Sequence, residues 1–161
     1  MSTITVRDAE TADLGQLLEL YQELAEGDPA RTPGDATSAR PTLSQVLTDS
    51  DHHLCVASVN GTVVGAAELI VVPNLTHHGR PWGVIENVIV KSSARRNGAG
   101  TRLLEHVPEV AHARDCYKAQ LHSGKHRTDA HRVYQRLGFR PVAEGFKLYY
   151  DGTRTTVYRD V

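Results

Sequence analysis

Cysteine is scarce. Cys55 and Cys116 are the only two, far apart and without C-x-x-C spacing. No disulfide framework is therefore expected, and two reduced thiols packed as small apolar groups are. Long apolar runs are absent as well: none approaches the roughly 18 residues of a membrane span. Met1-Ser2-Thr3-Ile4 opens no signal peptide, so a cytoplasmic protein without membrane contact is the expectation. Net charge is only −1, which argues against a general nucleic-acid binder. Nine histidines are many for 161 residues and include the pairs His52-His53 and His77-His78. No H-E-x-x-H or helical ligand spacing accompanies them, so no metal site is expected. Internal repeats and linker-like stretches are missing too. With 40% hydrophobic residues, the chain reads as a single domain over residues 4–161, large enough to bury its own core.

What charge there is lies unevenly. Residues 1–85 hold 4 Lys/Arg against 11 Asp/Glu, and residues 86–161 hold 14 against 8. This suits an anionic ligand in the second half and a cationic one facing the first, although solvated surface charge explains the same numbers.

Along the chain, Ile4 and Val6 alternate with polar neighbours as in a short strand. Thr11 reads as an N-cap for a helix carrying Leu14, Leu17, Leu18, Tyr21, Leu24 and Ala25, stopped by Gly27-Asp28-Pro29. Residues 28–41 read as a loop, and Thr42-x-x-Gln45 has the capping-box spacing that opens a shorter helix. Leu54–Val59 and Thr62–Val72 are strand-like runs joined by Asn60-Gly61, a strong two-residue hairpin signal. After the polar loop 74–83 comes a strand over Glu86–Val90, then a helix to about Ala113 that Pro108 is expected to kink or interrupt. Cys116–His122 reads as a strand, Thr128–Leu137 as a helix closed by Gly138, and the tail offers strands at 141–143 and 146–150. The order β-α-α-β-β-β-α-β-α-β describes an α/β (α+β) domain, a mixed sheet with helices on both faces.

The chain is organised around Val88–Leu104, VIVKSSARRNGAGTRLL: a strand, a polar loop and a helix start. Gly98 and Gly100 remove the Cβ atoms that would hold a ligand off the backbone, where a helix N-terminus leaves N–H groups unpartnered. With Arg95, Arg96 and Arg102, these donors make a site for a polyanion such as a pyrophosphate. No Lys follows either glycine as a Walker loop requires, and Leu103 stands where a dinucleotide fingerprint needs its third glycine. R-x-x-G-x-G after a strand is what remains, and an ordinary strand-to-helix turn with surface arginines fits the same six residues. A second segment, TDAHRVYQRLGF at 128–139, puts Ala130, Val133 and Leu137 on one helical stripe, with Arg127, His131 and Tyr134 on its neighbour.

The loop Arg95–Gly100 resembles the coenzyme A pyrophosphate loop of the GNAT superfamily of N-acetyltransferases. The segment around Tyr134 resembles that family's A-x-x-x-Y-x-R-x-G-F hallmark, and the resemblance runs from about Ile4 to Tyr150. It implies the GNAT acyl-CoA fold, a central, mostly antiparallel, twisted sheet with helices on both faces. It also implies acetyl-CoA as co-substrate and transfer of an acetyl group to a primary amine of a small molecule. On this resemblance the backbone of Val88, Ile89 and Val90 pairs with the pantetheine arm like an added strand. Arg95, Arg96, Asn97, Gly98, Ala99, Gly100 and Thr101 hold the pyrophosphate, and Tyr134 is the general acid for the departing thiolate. Family members often carry Asn where this chain has Arg127, which is able to reach a phosphate instead.

The acceptor side is less sharply drawn. Glu86, on the strand entering the site, serves as base or as an anchor for the amine, or is a solvent-facing carboxylate. His77 and His78 are alternative bases, and Tyr21, Arg80 and Trp82 complete the expected acceptor side. NLTHHGRPWGVIEN at 74–87 together with KHRTDAHRVY at 125–134 is similar to the aminoalkylphosphonate N-acetyltransferase branch. That similarity implies a cation near the acceptor, for which Arg80 and Lys147 are candidates. Family members often form homodimers. A coenzyme sensor without turnover and a protein-directed acetyltransferase remain open beside the small-molecule enzyme.

Overall fold

The structure is a computed structural model that describes residues 3–26, 31–148 and 150. Five strands form one sheet in the order β1 (Ile4–Asp8), β2 (His52–Val59), β3 (Thr62–Val72), β4 (Trp82–Val90), β5 (Ala119–Leu121). The first four are antiparallel neighbours; β5 lies parallel to β4. Asn60 (φ 50°) and Gly61 (φ 80°) are both left-handed, the conformation a two-residue turn needs to follow the strand twist, so β2 and β3 close as the dipeptide predicts.

Helices cover both faces. Helix α3 (Ala99–Ala113) packs Leu103, Val107 and Ala111 on one face against Cys55, Ala67, Leu69 and Ile85. Helices α1 (Leu14–Leu24) and α2 (Ala36–Thr48) cover the other, where Leu17, Leu20 and Leu43 meet Leu54, Val56, Ala66 and Ile89. Burial of this apolar surface is the main force holding the helices to the sheet.

Strand β4 serves both cores because it carries one extra residue. Ala66 faces Ile89 and Glu68 faces Glu86, so Ala67 alone opposes Asn87 and Val88. This is a β-bulge, with Asn87 left-handed at φ 50°. Ile85 before it therefore joins the α3 face, and Ile89 after it joins the α1/α2 face. On its other edge, β4 pairs with β5 only from Gly83↔Ala119 to Ile85↔Leu121. Among the described residues, Glu86–Val90 then run on with no strand on that side.

Several expectations are corrected. Helix α2 begins at Ala36, six residues before Thr42, because the Asp35 side chain accepts from Ser38 N–H (2.8 Å) and caps it; Pro41 sits inside the helix. Thr11 opens a short 3-10 turn, and the organising residue is Asp13, which accepts from Glu10 N–H (2.8 Å) and from both Nη atoms of Arg7 (2.7 and 2.9 Å). Pro108 does not interrupt α3: buried Val107 and Ala111 keep the helix on the sheet across it. β5 is three residues long instead of the seven of Cys116–His122. Residues 141–143 form no strand, and none is seen at 146–148, where Val142 and Phe146 are largely exposed. Tyr149, the Gly27-Asp28-Pro29 stop and residues 151–161 of the expected domain lie outside the described residues.

Candidate active site

The cradle follows β4 directly. Arg96 (φ 62°) and Gly98 (φ 96°) are both left-handed, which folds the Arg95–Gly98 loop back onto the N-terminus of α3. Asn97 Oδ1 accepts from Ala99 N–H (3.0 Å), and the first N–H bonded within the helix is that of Arg102, to Gly98 O (3.0 Å). By helix geometry the N–H groups of Gly100 and Thr101 then point out of the N-terminus, joined by its positive dipole end. Arg95, Arg96 and Arg102 are exposed around it, and Arg95 Nε donates to Val90 O (3.2 Å), tying the loop to the strand. A Cβ on Gly100 would sit 3.3 Å from Val90 Cγ2, a tight contact that the glycine avoids between the strand end and the helix start. A pyrophosphate fits this donor set.

Val88 and Val90 pack their side chains toward the α3 core, and the backbone of Glu86–Val90 lies on the strandless edge of β4. Peptide groups left open on such an edge can take an extended chain as an added strand. That is the arrangement expected for Val88, Ile89 and Val90, and it leads into the cradle at Arg95–Thr101.

Helix α4 (Thr128–Arg136) carries Tyr134, its one buried residue. The expected packing stripe of Ala130 and Val133, with Leu137 just beyond the helix, is half-buried; the deepest contact belongs to the Tyr134 ring, edge-on to Phe139 at 6.1 Å. Burial pushes the Tyr134 hydroxyl above its ordinary pKa, while half-buried Arg127 and Ser123 pull the other way. The net shift keeps the phenol protonated at neutral pH. His131, from the same face, meets Ser123 Oγ (3.1 Å).

The acceptor candidates fall into two groups. His77 stacks on Tyr117 at 3.8 Å, Arg80 pairs with Asp115 (3.1 Å), and Lys118 lies over the Trp82 ring at 5.0 Å. His78, at φ 59°, shares the same turn. These four stand at the start of β4, roughly 26 Å from Val90 at strand spacing. Tyr21 lies elsewhere: its hydroxyl donates to Glu68 Oε1 (2.9 Å) on β3, directly opposite half-buried Glu86. Burial, then the neighbouring carboxylate, drive the Tyr21 pKa strongly up.

Sequence reasoning missed Glu68, although an acid inside VVGAAELIVV is a signal, since a buried acid is rare unless paired. Glu68 also accepts from Asn87 Nδ2 (2.9 Å) and meets His52 Nε2 (2.8 Å). Among the described residues, no three His, Cys, Asp or Glu side chains gather so as to hold a metal ion.

The family model described as the Acetyltransferase (GNAT) family matches residues 15–139. A curated Trypanosoma brucei brucei protein, a glucosamine 6-phosphate N-acetyltransferase, is 32% identical over 90% of this chain and 95% of its own length. An aminoalkylphosphonate N-acetyltransferase of Salmonella typhimurium is 29% identical over 87% of each. Among solved structures, a transcriptional regulator from Bacillus halodurans superposes with a TM-score of 0.85 at 30% identity, covering 92% of this chain and 100% of that one. The chain belongs to the GNAT family of acetyltransferases and is an acyltransferase.

Proposed function

We propose that the protein moves an acetyl group from acetyl-CoA to the primary amine of a small molecule, by direct attack with both substrates bound. The observation that carries this reading is the strandless edge of Glu86–Val90 running into the α3 N-terminus, a strip of backbone groups ending in an anion site. When bound, acetyl-CoA supplies the activated acyl group. The cradle residues Arg95–Thr101 hold its phosphates, with Arg127 a further cation on the same side of the chemistry, and the β4 edge orients its arm. Backbone N–H groups on that edge are fixed dipoles for charge developing on a carbonyl oxygen. Tyr134, kept protonated by burial, donates its proton to the leaving sulfur. Glu86, half-buried beside the bulge, attracts the ammonium form of the acceptor. The names of the two curated relatives support an acceptor that is an amine with a phosphorus oxyanion.

A second reading, a coenzyme sensor without turnover, is favoured by one observation, the likeness to a protein named as a transcriptional regulator. Calorimetric titration with acetyl-CoA, followed by a panel of amino sugar phosphates, aminoalkylphosphonates, polyamines and amino acids with thiol release recorded, separates the two. Binding with thiol release for one amine class is the expected result. Binding without release across the panel favours the sensor, and absence of binding overturns both.

A further inference from the structure

Glu68 is the hub of a hydrogen-bond cluster that joins three strands and α1. Its Oε1 accepts from Tyr21 Oη (2.9 Å) and Asn87 Nδ2 (2.9 Å), and its Oε2 faces His52 Nε2 at 2.8 Å. A carboxylate only accepts, so the hydrogen between the last pair sits on Nε2, and the neutral imidazole carries its lone pair on Nδ1. Among the described residues, Nδ1 has no hydrogen-bond partner. No buried side-chain nitrogen or oxygen among the described residues lacks a partner, so this nitrogen reaches solvent. The cluster is anchored to Asn87, the left-handed residue of the bulge, where the open edge of β4 begins.

We propose that His52 Nδ1 is the base that takes the proton from the acceptor's ammonium group, with Glu68 the positioning residue that fixes the imidazole and Tyr21 and Asn87 holding Glu68 in place. This rests on the acetyltransferase reading above and adds the residue that starts the reaction. Three donors already engage Glu68, so it orients and does not itself collect the proton. Glu86 stands opposite Glu68, with no side-chain partner among the described residues, and adds negative charge that draws the ammonium in. In the step, an N–H bond of the ammonium breaks and Nδ1–H forms. The freed nitrogen pair becomes the nucleophile, and His52 passes its proton to water after product leaves.

The titratable groups around His52 are Glu68 on β3, Tyr21 on α1, Glu86 on β4, and its chain neighbours Asp51 and His53, the latter turned to the opposite face of β2. His53 Nε2 meets Arg114 Nη1 at 3.0 Å, and burial and that guanidinium lower its pKa, which keeps His53 neutral and out of competition.

The test compares pH profiles of kcat/KM, with the amine identified by thiol release, for wild type, His52→Gln and Glu68→Gln. Glutamine at 52 retains an amide donor toward Glu68 and loses the basic nitrogen. The expected result for His52→Gln is a fall in kcat/KM of about a hundredfold at neutral pH and loss of the limb that rises with pH. Its coenzyme affinity stays at the wild-type value. For Glu68→Gln kcat falls while coenzyme affinity holds, because the amide replaces an acceptor oxygen by a donor and no longer fixes the imidazole. An unchanged profile in His52→Gln, with wild-type turnover, overturns the assignment of His52 alone. Should His52→Gln fail to fold, wild-type turnover in Glu68→Gln overturns it instead. Absence of thiol release by the wild type with every amine overturns the acetyltransferase reading and this inference with it.

Discussion

The two ends of β4 contrast in how their polar groups are used. At the start, Gly83 N–H is taken by Lys118 O (2.9 Å), β5 covers the edge, and the side chains of the 77–82 segment stack on or pair with the 115–118 turn. At the far end the edge is open, three residues from Asn87 to Gly98 are left-handed, and helix N–H groups point outward. One end has settled its interactions internally; the other holds them for a ligand. The difference teaches where function sits on a single strand: at the end whose backbone is not already bonded.

The contrast can be broken by substitution. Tyr134→Phe keeps the ring against Phe139 and removes the proton donor. Turnover is expected to fall about a hundredfold with coenzyme affinity nearly intact by calorimetry; wild-type turnover would remove Tyr134 from the reaction. Two valines test the ends against each other. Gly98→Val places a β-branched residue at φ 96° beside the anion site, and coenzyme affinity is expected to drop by about tenfold or more, alongside a backbone strain of about 1–3 kcal/mol in folding. Gly83→Val should do the reverse. A Cβ there meets Leu69 Cδ1 at 2.8 Å and Ala111 Cβ at 3.4 Å, so overpacking costs about 1–3 kcal/mol in denaturant unfolding, and coenzyme affinity holds. If both valines reduce affinity equally, the division of β4 into two ends fails. The smallest effect is Arg80→Ala: its pair with Asp115 is solvent-exposed, so a loss within about 1 kcal/mol and unchanged coenzyme binding are expected.

Local chemistry made much of this readable in the sequence. Asn60-Gly61 names its own turn, and the glycines at 98 and 100 name a helix start that a ligand can approach, because each depends on neighbours in sequence. The Asn87 bulge was not readable: an Asn in VIENVIV carries no turn partner, and the bulge arises because Ala67 alone faces Asn87 and Val88 across the sheet. The same holds for Glu68, whose partners lie 47, 16 and 19 residues away. Residues 28–41 read as a loop because they are rich in Pro, Gly, Ser and Thr, yet from Ala36 on the cap at Asp35 and burial of Leu43 hold a helix even across Pro41. Strand propensity at 141–143 is a preference for a pleated, half-buried surface, and Val142, 83% exposed, has none to lie on.

Asn87 also marks a change of phase in the fold. Side chains alternate along a strand, so residues 85 and 89, four apart, would share a face if every residue between them paired regularly. Because β4 slips by one at the bulge, everything downstream is in the opposite phase: Ile89 turns to α1, while Val88 and Val90 turn to α3. Removing Asn87 would therefore leave the faces as they are: Glu86 and Val88 would follow one another opposite Glu68 and Ala67, and Ile89 would still point to α1. What the deletion would take away is the left-handed kink and the Asn87 hydrogen bond to Glu68, so the extra residue acts as a spacer that bends the strand toward its open edge without disturbing either core.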